Sequence, residues 1–405
     1  MIVKKENTME KMKVGVLGCG AIASIYIHNM KYHYDKVEVI SCADLLPEKA
    51  EFIKKKYDLK KAYSNEELLA DPEVDIILNL TVPSVHYELN KAILNAGKHL
   101  YCEKPLAVTV DQANEIVALG HKLGLRVSDA PDTFLGPGIQ TVRKLLDDGV
   151  IGDVTGFTAN LFTHGHELWH PSPMFYYQEG GGPMRDMGPY YLTALVSLLG
   201  PVEDVACFAS RTFRQRDIKG TLIDSDVYTQ YNTLLRMKSG VYGNVNMSWE
   251  VWNSKLNGLE IYGTDGMITV PDPNATTGPV FVYHGDRYTE LISAIPRDEI
   301  VQRLMFGRTP EAQSCYEEVP LCYRGGKNMR GIATVEMAMA IADGRPQRAS
   351  GEMAAHIVDI LDSMERSQET GQIVRLSTTF DRPEAFYPVA EGVWLGDLGT
   401  ESSFV

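Results

Sequence analysis

Two glycines and a carboxylate near the start of the chain have the types and spacing that bind a dinucleotide. Gly18, Gly20 and Ala23 form the pattern G-x-G-x-x-A directly after the apolar run 13–17, which is typical of the turn between a buried strand and the next helix. Gly18 permits a tight turn, and Gly20 lets the backbone approach a pyrophosphate closely. Asp44 ends a second apolar run about 20 residues later, where a carboxylate binds both hydroxyls of an adenosine ribose. The segment therefore predicts a dinucleotide site.

Lys104 is the first candidate for chemistry on a bound substrate. It lies in Glu103-Lys104-Pro105, directly after the predicted strand 98–102, at a strand end where such sheets bind ligands. An ammonium beside a nicotinamide ring can hydrogen-bond a substrate hydroxyl and stabilise the alkoxide that precedes hydride loss. Pro105 would fix the local backbone, in a trans or a cis peptide, and so aim the lysine. The plainer alternative is a charged strand end followed by a turn.

A second group of candidate residues lies between 162 and 191, where polar and aromatic side chains are dense. The predicted substrate-binding residues are His164, His166, Trp169, His170, Arg185, Asp186 and Tyr190. Aromatic faces pack on the C–H faces of sugars while polar tips bind hydroxyls, so this density favours a loop-built sugar pocket. The alternative is that the neighbouring rings of Phe175, Tyr176 and Tyr191 are core.

The histidines at 164, 166 and 170 also raise the question of a metal. Closely spaced histidines can bind zinc, but no cysteine lies near these three. We therefore expect substrate-contacting or structural histidines and no metal.

Alternating helices and strands must position the first set of residues. Apolar runs predict strands at 13–17, 37–43, 74–80, 98–102 and 125–128, and helices are predicted at 22–32, 47–57, 65–70, 84–96 and 111–123. This alternation is typical of an α/β Rossmann domain with a doubly wound parallel sheet, here assigned to residues 1–131.

The remainder of the chain has a different pattern. A proline- and glycine-containing linker at 131–138 precedes a helix at 139–148, and alternating β-rich runs follow at 154–163, 205–211, 227–237, 241–249 and 256–262. Late helices are predicted at 329–343 and 352–368. We predict an α+β substrate-binding and oligomerisation domain over 132–380, with an open mixed or antiparallel sheet, and a C-terminal tail over 381–405.

Composition limits the function classes. With 405 residues the chain is long enough for two domains, and its net charge of −14 argues against nucleic acid and anionic membranes as partners. The first 12 residues lack an apolar signal segment, and the six cysteines form no C-x-x-C pair. These features favour a cytoplasmic protein with reduced thiols.

In combination, these motifs resemble one enzyme family over roughly residues 12–370. The glycine turn, Asp44, the E-K-P tripeptide and the run 180–190, GGGPMRDMGPY, are similar to the glucose–fructose oxidoreductase / inositol dehydrogenase / rhizopine catabolism (Gfo/Idh/MocA) family. The resemblance implies a nicotinamide-dependent oxidoreductase that acts on sugars or cyclitols. It also implies a homo-oligomer, from dimer to hexamer, that associates through the uncovered face of the second sheet.

The resemblance implies a catalytic role for Lys104, Tyr190 and Asp186, with Asp186 orienting a substrate hydroxyl. The family usually has histidine at the position of Tyr190, although tyrosine also occurs in the glucose–fructose oxidoreductase branch. A phenol has an ordinary pKa near 10, so Tyr190 needs a neighbouring cation such as Lys104 to act as a base. Lys104, Tyr190 or a histidine of the 164–170 loop can accept the proton; we favour Lys104 with Tyr190. Alternatively, Asp186 is a helix N-cap.

We expect NAD rather than NADP, because no arginine follows Asp44 to accept a 2′-phosphate. The predicted cofactor-binding residues are Gly18, Gly20, Ala21, Ile22, Asp44, Thr81, Pro83, His86, Glu103 and Lys104. The expected reaction transfers a hydride between a secondary hydroxyl of a sugar, glycoside or cyclitol and the nicotinamide. One alternative is a glycoside-cleaving enzyme that works through a transient keto-sugar, and the other is a non-catalytic NAD-binding sensor.

Overall fold

A computed structural model describes residues 10–170, 172–306, 310–388, 390–393 and 395. The chain forms two compact units. The first contains the described residues up to Leu135, Gly325–Asp362 and the described residues from Thr378 onward, and the second contains Gly136–Arg324 and Ser363–Ser377. Most of the predicted leader and the last ten residues of the predicted tail lie outside the described residues.

Six parallel strands form the sheet of the first unit. They are β1 (Met12–Leu17), β2 (Val37–Ala43), β3 (Lys61–Tyr63), β4 (Ile76–Asn79), β5 (His99–Cys102) and β6 (Val127–Asp129). Their order, β3-β2-β1-β4-β5-β6, is the Rossmann order, so the predicted fold class is confirmed. Sequence analysis missed β3 because its three residues are all half-buried and too few to show a pattern. All six carboxyl ends meet at one edge, where such sheets bind ligands.

Five helices connect these strands. They are α1 (Ala23–Tyr32), α2 (Pro47–Tyr57), α3 (Asn65–Ala70), α4 (Pro83–Asn95) and α5 (Val110–Leu123). The predicted bounds agree within one residue because the end signals are local. Ser64 and Glu67 form a reciprocal capping box at the start of α3, and Gly124 ends α5 in the left-handed region, at φ +67°. Both faces of the sheet are covered, so its strands are apolar runs rather than alternating patterns.

The second unit contains a nine-stranded mixed sheet and a separate hairpin. The strands are β7 (Val154–Phe162), β8 (Val202–Ser210), β9 (Gln215–Ile218), β10 (Thr221–Asp224), β11 (Gln230–Met237), β12 (Tyr242–Ser248), β13 (Gly258–Gly263), β14 (Gly266–Val270), β15 (Val280–His284), β16 (Tyr316–Val319) and β17 (Val374–Arg375). The sheet order is β16-β15-β14-β13-β7-β12-β11-β8-β17, while β9 and β10 form the hairpin. Only the pairing of β7 with β12 is parallel within the described sheet.

Four helices accompany this sheet. They are α6 (Pro137–Asp147), α7 (Pro183–Leu199), α8 (Gly285–Ser293) and α9 (Arg297–Phe306). Helix α7 lies against β11, β12 and α6. Gly182 is its N-cap residue, at φ +95°, so Asp186 lies inside the helix. This corrects the alternative in which Asp186 is the N-cap.

The late helices are α10 (Ile332–Asp343) and α11 (Gly351–Thr370). The predicted domain ranges placed both of them in the second domain. Residues 325–362 group with the first unit rather than the second. The reason is packing, because Ala354, Ala355 and Val358 of α11 are buried in the core that covers the parallel sheet. The predicted tail also packs on the first unit, since its Phe386 side chain is completely buried.

All six cysteines are free thiols, and five of them are buried. Among the residues that the structure describes, no helix is both long and apolar enough to span a bilayer.

Candidate active site

The glycine turn after β1 has the shape that a diphosphate requires. Gly18 has φ +97°, and a Cβ there would lie 2.9 Å from the carbonyl carbon of Leu80, so only glycine fits. A Cβ at Gly20 would meet no atom within 4 Å. The backbone at Gly20 is therefore open to a ligand, and Ala21 and Ile22 follow it at the start of α1. These residues fit the diphosphate of a dinucleotide.

Asp44, at the end of β2, is tied to the same turn. Its Oδ2 accepts the N–H of Cys19 at 2.7 Å, and its Oδ1 accepts the N–H of Leu46 at 2.9 Å. A carboxylate oxygen can accept more than one hydrogen bond, so both oxygens retain capacity for ribose hydroxyls. Asp44 therefore lies at the end of β2 beside the glycine turn, and its contact with the ribose stays a prediction.

The turn after β4 contains the predicted residues Thr81 and Pro83 and is organised by two asparagines, Asn79 and Asn90, that were not predicted. Thr81 donates its hydroxyl to Asn79 Oδ1 at 2.6 Å, and Asn79 donates to Asn90 Oδ1 at 2.8 Å. Pro83 begins α4. These bonds fix the backbone of the turn at the ligand-binding edge of the sheet.

The structure assigns His86 a different role from the predicted cofactor contact. The side chain is completely buried, its Nδ1 lies 2.7 Å from the carbonyl oxygen of Pro105, and its Nε2 lies 3.1 Å from that of Thr81. Both ring nitrogens therefore face backbone carbonyls. This corrects the prediction, because the ring has no surface left for a cofactor.

The E-K-P tripeptide follows β5 directly, and its Lys104–Pro105 peptide is cis. Glu103 accepts two hydrogen bonds, from the phenol of Tyr26 at 2.8 Å through Oε1 and from the N–H of Lys104 at 3.0 Å through Oε2. Tyr26 is completely buried and its oxygen lies 3.3 Å from that of Tyr101. Burial, reinforced by the charge of Glu103, raises the pKa of Tyr26. Its phenol is therefore a neutral donor to the carboxylate.

Two buried carboxyls, Asp129 and Asp132, lie at the same edge of the sheet. Burial raises the pKa of Asp129 far above its ordinary value, and raises that of Asp132 to about 6. Asp132 Oδ2 accepts the N–H groups of Gly331 at 2.7 Å and Ala333 at 3.3 Å. Sequence analysis missed both carboxyls, because no local pattern marks them and the partners of Asp132 are about 200 residues away.

In the second unit, α7 carries Asp186 and Tyr190 one helical turn apart, as their spacing predicts. Both side chains are half-buried. Asp186 Oδ2 lies 3.1 Å from Nε2 of His166. Because a carboxylate can only accept, this contact places a proton on Nε2. The imidazole of His166 thus helps to orient the carboxylate of Asp186.

Aromatic rings surround His166. Its ring centroid lies 4.2 Å from that of Tyr176, 4.5 Å from Trp249 and 5.0 Å from Trp169. Trp169 leaves 67% of its surface exposed, while Trp249 is completely buried. Trp169 therefore provides an open aromatic face beside the His166–Asp186 pair, whereas Trp249 is core.

Residues 166–170 spell H-E-x-x-H, a zinc-binding signature when it lies on a helix. The expectation of no metal was made without recognising this motif. Only 166–168 form a short 3₁₀ helix, and the histidines have different partners, since His170 Nδ1 accepts the N–H of Ser172. Within the described ranges, no group of three or more potential ligands is placed to hold a metal.

His164 belongs to a separate cluster. Its ring stacks on Trp252 with centroids 3.4 Å apart, and burial lowers its pKa. Its carbonyl accepts a hydrogen bond from Arg216 at 3.1 Å. The imidazole is therefore neutral and packed against an aromatic ring.

Arg216, on β9, is the principal residue that sequence analysis missed. Its side chain is 2% exposed and pairs with Glu167 at 3.1 Å, and the same nitrogen donates to the carbonyl of Trp249 at 3.2 Å. Glu167 in turn accepts the phenol of Tyr177, whose oxygen accepts the N–H of His166 at 3.1 Å. This buried chain of bonds fixes the loop that carries His166. No sequence signal reveals it, because β9 itself was not predicted.

Arg185 has a partner that sequence analysis did not predict. Its guanidinium forms a two-point ion pair with Glu365, with Nε–Oε1 at 2.9 Å and Nη2–Oε2 at 2.8 Å. This geometry joins α7 to α11, and the substrate-binding role of Arg185 stays a prediction.

The fold and these groups define a class of protein: a two-unit oxidoreductase whose first unit binds a nicotinamide dinucleotide. A family model described as an oxidoreductase family with an NAD-binding Rossmann fold matches residues 12–130, and a Gfo/Idh/MocA C-terminal domain model matches residues 139–269. The chain belongs to the Gfo/Idh/MocA oxidoreductase family. The predicted enzyme class, an NAD(P)-dependent dehydrogenase, is confirmed by these matches.

Curated relatives are similar over most of the chain. A myo-inositol 2-dehydrogenase of Thermotoga maritima is 26% identical over 68% of this chain and 80% of its own length. A trans-1,2-dihydrobenzene-1,2-diol dehydrogenase of Sus scrofa is 25% identical over 82% of this chain and 94% of its own.

Solved structures show the same fold. An aldose–aldose oxidoreductase of Caulobacter crescentus in complex with glycerol has a TM-score of 0.73 at 20% identity, covering 90% of this chain and all of that one. A levoglucosan dehydrogenase in complex with NADH and L-sorbose has a TM-score of 0.72 at 19% identity, covering 91% of this chain and all of that one.

Proposed function

We propose that this protein is an NAD-dependent dehydrogenase that acts on a secondary hydroxyl of a sugar, glycoside or cyclitol. The observation that carries the proposal is the edge of the six-stranded sheet, where Gly18, Asp44 and Lys104 follow three of its strands. The first two support dinucleotide binding, and the third is a cation at the edge where such sheets bind ligands. The dehydrogenases of inositol and of dihydrodiols among the relatives support a polyol substrate.

Bound NAD would supply the hydride acceptor. Lys104 donates a hydrogen bond to the substrate hydroxyl and stabilises the alkoxide that forms as the hydroxyl proton leaves. Tyr190 takes part in that proton transfer through its phenol, which can donate or accept a hydrogen bond. Asp186 accepts a second substrate hydroxyl and so sets which carbinol carbon reacts.

The second unit supports a carbohydrate rather than a purely apolar substrate. Asp186 and His166 are polar groups beside the exposed face of Trp169, and this combination suits a ring with both C–H faces and hydroxyls. No metal is needed for this chemistry, because the proton-transferring groups are side chains.

The preference for NAD over NADP rests on Asp44. A carboxylate at the end of β2 repels a 2′-phosphate, and the next two residues, Leu45 and Leu46, offer no cation to bind one. Titration of the protein with NAD⁺ and NADP⁺ tests this directly, and a tighter dissociation constant for NADP⁺ would reverse the assignment. A cytoplasmic location and a homo-oligomer complete the proposal.

Lys104→Ala is the decisive variant. We expect NAD⁺ affinity within about threefold of wild type and a fall in kcat of at least about 100-fold, since the cation acts on the developing alkoxide. The substrates are myo-inositol, D-glucose and p-nitrophenyl β-D-glucoside, assayed by NADH absorbance. Lys60→Ala, at an exposed lysine of the same unit, is the matched control.

Three outcomes would contradict the proposal. Retained turnover in Lys104→Ala removes that residue from the chemistry. Release of p-nitrophenol without net NADH replaces the dehydrogenase by a glycoside-cleaving enzyme. NAD⁺ binding without turnover on any substrate of a broad polyol panel favours the sensor.

A further inference from the structure

His86 connects two turns that border the ligand-binding edge of the parallel sheet. The turn after β4 contains Thr81, and the turn after β5 contains Pro105. The His86 ring, completely buried on α4, contacts the carbonyl oxygens of both, at 3.1 and 2.7 Å. Carbonyl oxygens only accept hydrogen bonds, so a ring nitrogen that bonds one of them donates its N–H. The shorter contact is the one between Nδ1 and the carbonyl of Pro105.

This contact lies on one side of Lys104, and a second contact lies on the other. The N–H of Lys104 donates to Oε2 of Glu103 at 3.0 Å, while the carbonyl of the following residue accepts from His86. Glu103 is itself held by the buried phenol of Tyr26 at 2.8 Å. The backbone that carries the Lys104 side chain is thus bonded immediately before and immediately after the lysine.

We propose that His86 is a positioning residue for Lys104, and this inference rests on the role proposed above for that lysine. His86 cannot touch a substrate or cofactor, because its ring is buried and both nitrogens face carbonyls. It acts through the backbone instead. A displacement of about 1 Å in a catalytic group can cost about 100-fold in rate, so loss of one bond beside Lys104 is expected to lower kcat more than ligand affinity.

Two substitutions at position 86 separate the donor from the volume. His86→Leu removes the donor and leaves the Pro105 carbonyl without it, whereas His86→Gln retains N–H donors on a side chain of similar reach. Asn29→Leu is the matched control. Asn29 lies on α1, is also buried, and donates to the carbonyls of Asn328 at 3.3 Å and Arg330 at 2.9 Å. It therefore reports the effect of removing a buried donor to two backbone carbonyls that are not adjacent to Lys104 in the chain.

The first readout is kinetic, with NAD⁺ and the polyol that gives turnover with wild type. We expect kcat to fall about 30-fold in His86→Leu with the dissociation constant of NAD⁺ within about threefold, and His86→Gln to recover about tenfold of that loss. Asn29→Leu should lower Tm by a similar amount while kcat stays within about threefold. Equal kcat losses in the two leucine variants, or no recovery with glutamine, would overturn the proposal.

The second readout needs no activity. Acetic anhydride acylates lysine amines, and peptide mass spectrometry gives the rate at Lys104 relative to the other lysines of the same chain. We expect this relative rate to change at least about threefold in His86→Leu and to remain near wild type in Asn29→Leu, because only the first loses a bond beside the lysine.

The two readouts distinguish failure of this inference from failure of the proposed function. If no variant or wild type turns over a polyol but acylation of Lys104 changes in His86→Leu, the positioning role stands and the dehydrogenase proposal fails. If wild type turns over and neither kcat nor acylation changes specifically in His86→Leu, the positioning role fails alone.

Discussion

Gly18 and Gly20 differ in what would surround a side chain at each position. A Cβ at Gly18 would lie 2.9 Å from both the carbonyl carbon and the carbonyl oxygen of Leu80, and the backbone there is left-handed at φ +97°. A Cβ at Gly20 would meet nothing within 4 Å. The first glycine is thus required by the fold, and the second is required only by a ligand.

Alanine at each position should therefore have a different effect. We expect Gly18→Ala to lower the free energy of unfolding by about 2 kcal/mol or more, through backbone strain and the contact with Leu80. Gly20→Ala should leave that free energy within about 0.5 kcal/mol, yet raise the dissociation constant of NAD⁺ at least about tenfold. Urea unfolding and fluorescence titration measure the two quantities. Unchanged NAD⁺ affinity in Gly20→Ala would show that the diphosphate binds elsewhere.

Asp132 predicts a pH dependence of stability. Burial raises the pKa of its carboxyl from 3.8 to about 6, against the opposing effects of Arg330 and the N–H groups of Ala333 and Gly331. Between those two values the folded state binds the proton more tightly than the unfolded state, so this group makes stability fall as pH rises. The loss is complete above about pH 6 and amounts to about 3 kcal/mol.

Asp132→Asn removes the titration and keeps an oxygen that can accept from Gly331 and Ala333. We expect the variant and wild type to have similar free energies of unfolding near pH 4, with the variant more stable by up to about 3 kcal/mol near pH 7. Urea unfolding at several pH values measures the difference, in which the other carboxyls largely cancel. A difference that does not grow with pH would contradict the raised pKa.

How far the site could be predicted from sequence depends on the range of the interactions. Gly18, Gly20, Asp44 and Lys104 were identifiable because each follows a local strand pattern directly. His86 and Arg216 received a wrong role or none, because their partners lie on other turns and strands. The partner of Arg185, Glu365, is 180 residues away, and no local pattern could have indicated it.

At the scale of elements, local sequence predicted α10 and α11 but not the unit to which they belong. Nine of the twelve residues of α10 are buried, so its sequence shows an apolar segment without a distinct face. The sequence did not predict β9, β10 and β14–β17. Each of these six strands has only two to five residues, which is too few to show a pattern. Local propensity predicts an element, but packing partners far along the chain decide where it lies.

The C-terminal segment also depends on long-range contacts. Arg348, with 10% of its side chain exposed, pairs with the fully buried Glu336 at 2.9 Å and with Glu391 at 2.8 Å. It donates to the carbonyl of Ala385 at 2.9 Å and lies over the ring of Phe386 at 5.1 Å. Through these contacts Arg348 binds the C-terminal segment to the rest of the first unit.

Arg348→Met should release the segment. We expect a loss of about 3 kcal/mol in the free energy of unfolding, because the substitution breaks a buried ion pair, and new chymotryptic cleavage after Phe386 under native conditions. Arg375→Met is the control, since Arg375 forms a surface pair with Glu203 and its side chain is 74% exposed; its expected loss is at most about 0.5 kcal/mol. Protection of Phe386 in Arg348→Met would mean that apolar burial alone anchors the segment.

At the scale of the whole molecule, one face of the second sheet carries large exposed apolar side chains. Phe208 on β8, Leu234 on β11 and Tyr242 on β12 are 80%, 61% and 69% exposed. The register pairs Phe208 with Asn232 and Tyr242 with Arg236, the residues two positions before and after Leu234. Since side chains alternate along a strand, all three project from the same face. Adjacent exposed apolar side chains on one sheet favour association, in agreement with the homo-oligomer that the sequence predicts.

Leu234→Lys tests whether this face joins the subunits. We expect the wild type to elute as a dimer or larger species in size-exclusion chromatography with light scattering. The variant should shift toward the monomer, because a charge in an apolar interface is costly to desolvate. Its NAD⁺ affinity should be unchanged, since the cofactor-binding edge is in the other unit.

Leu222→Lys is the control, because Leu222 is 63% exposed but lies on the β9–β10 hairpin outside that sheet. A monomeric wild type would contradict the oligomer, whereas equal shifts in the two variants would place the interface on another surface.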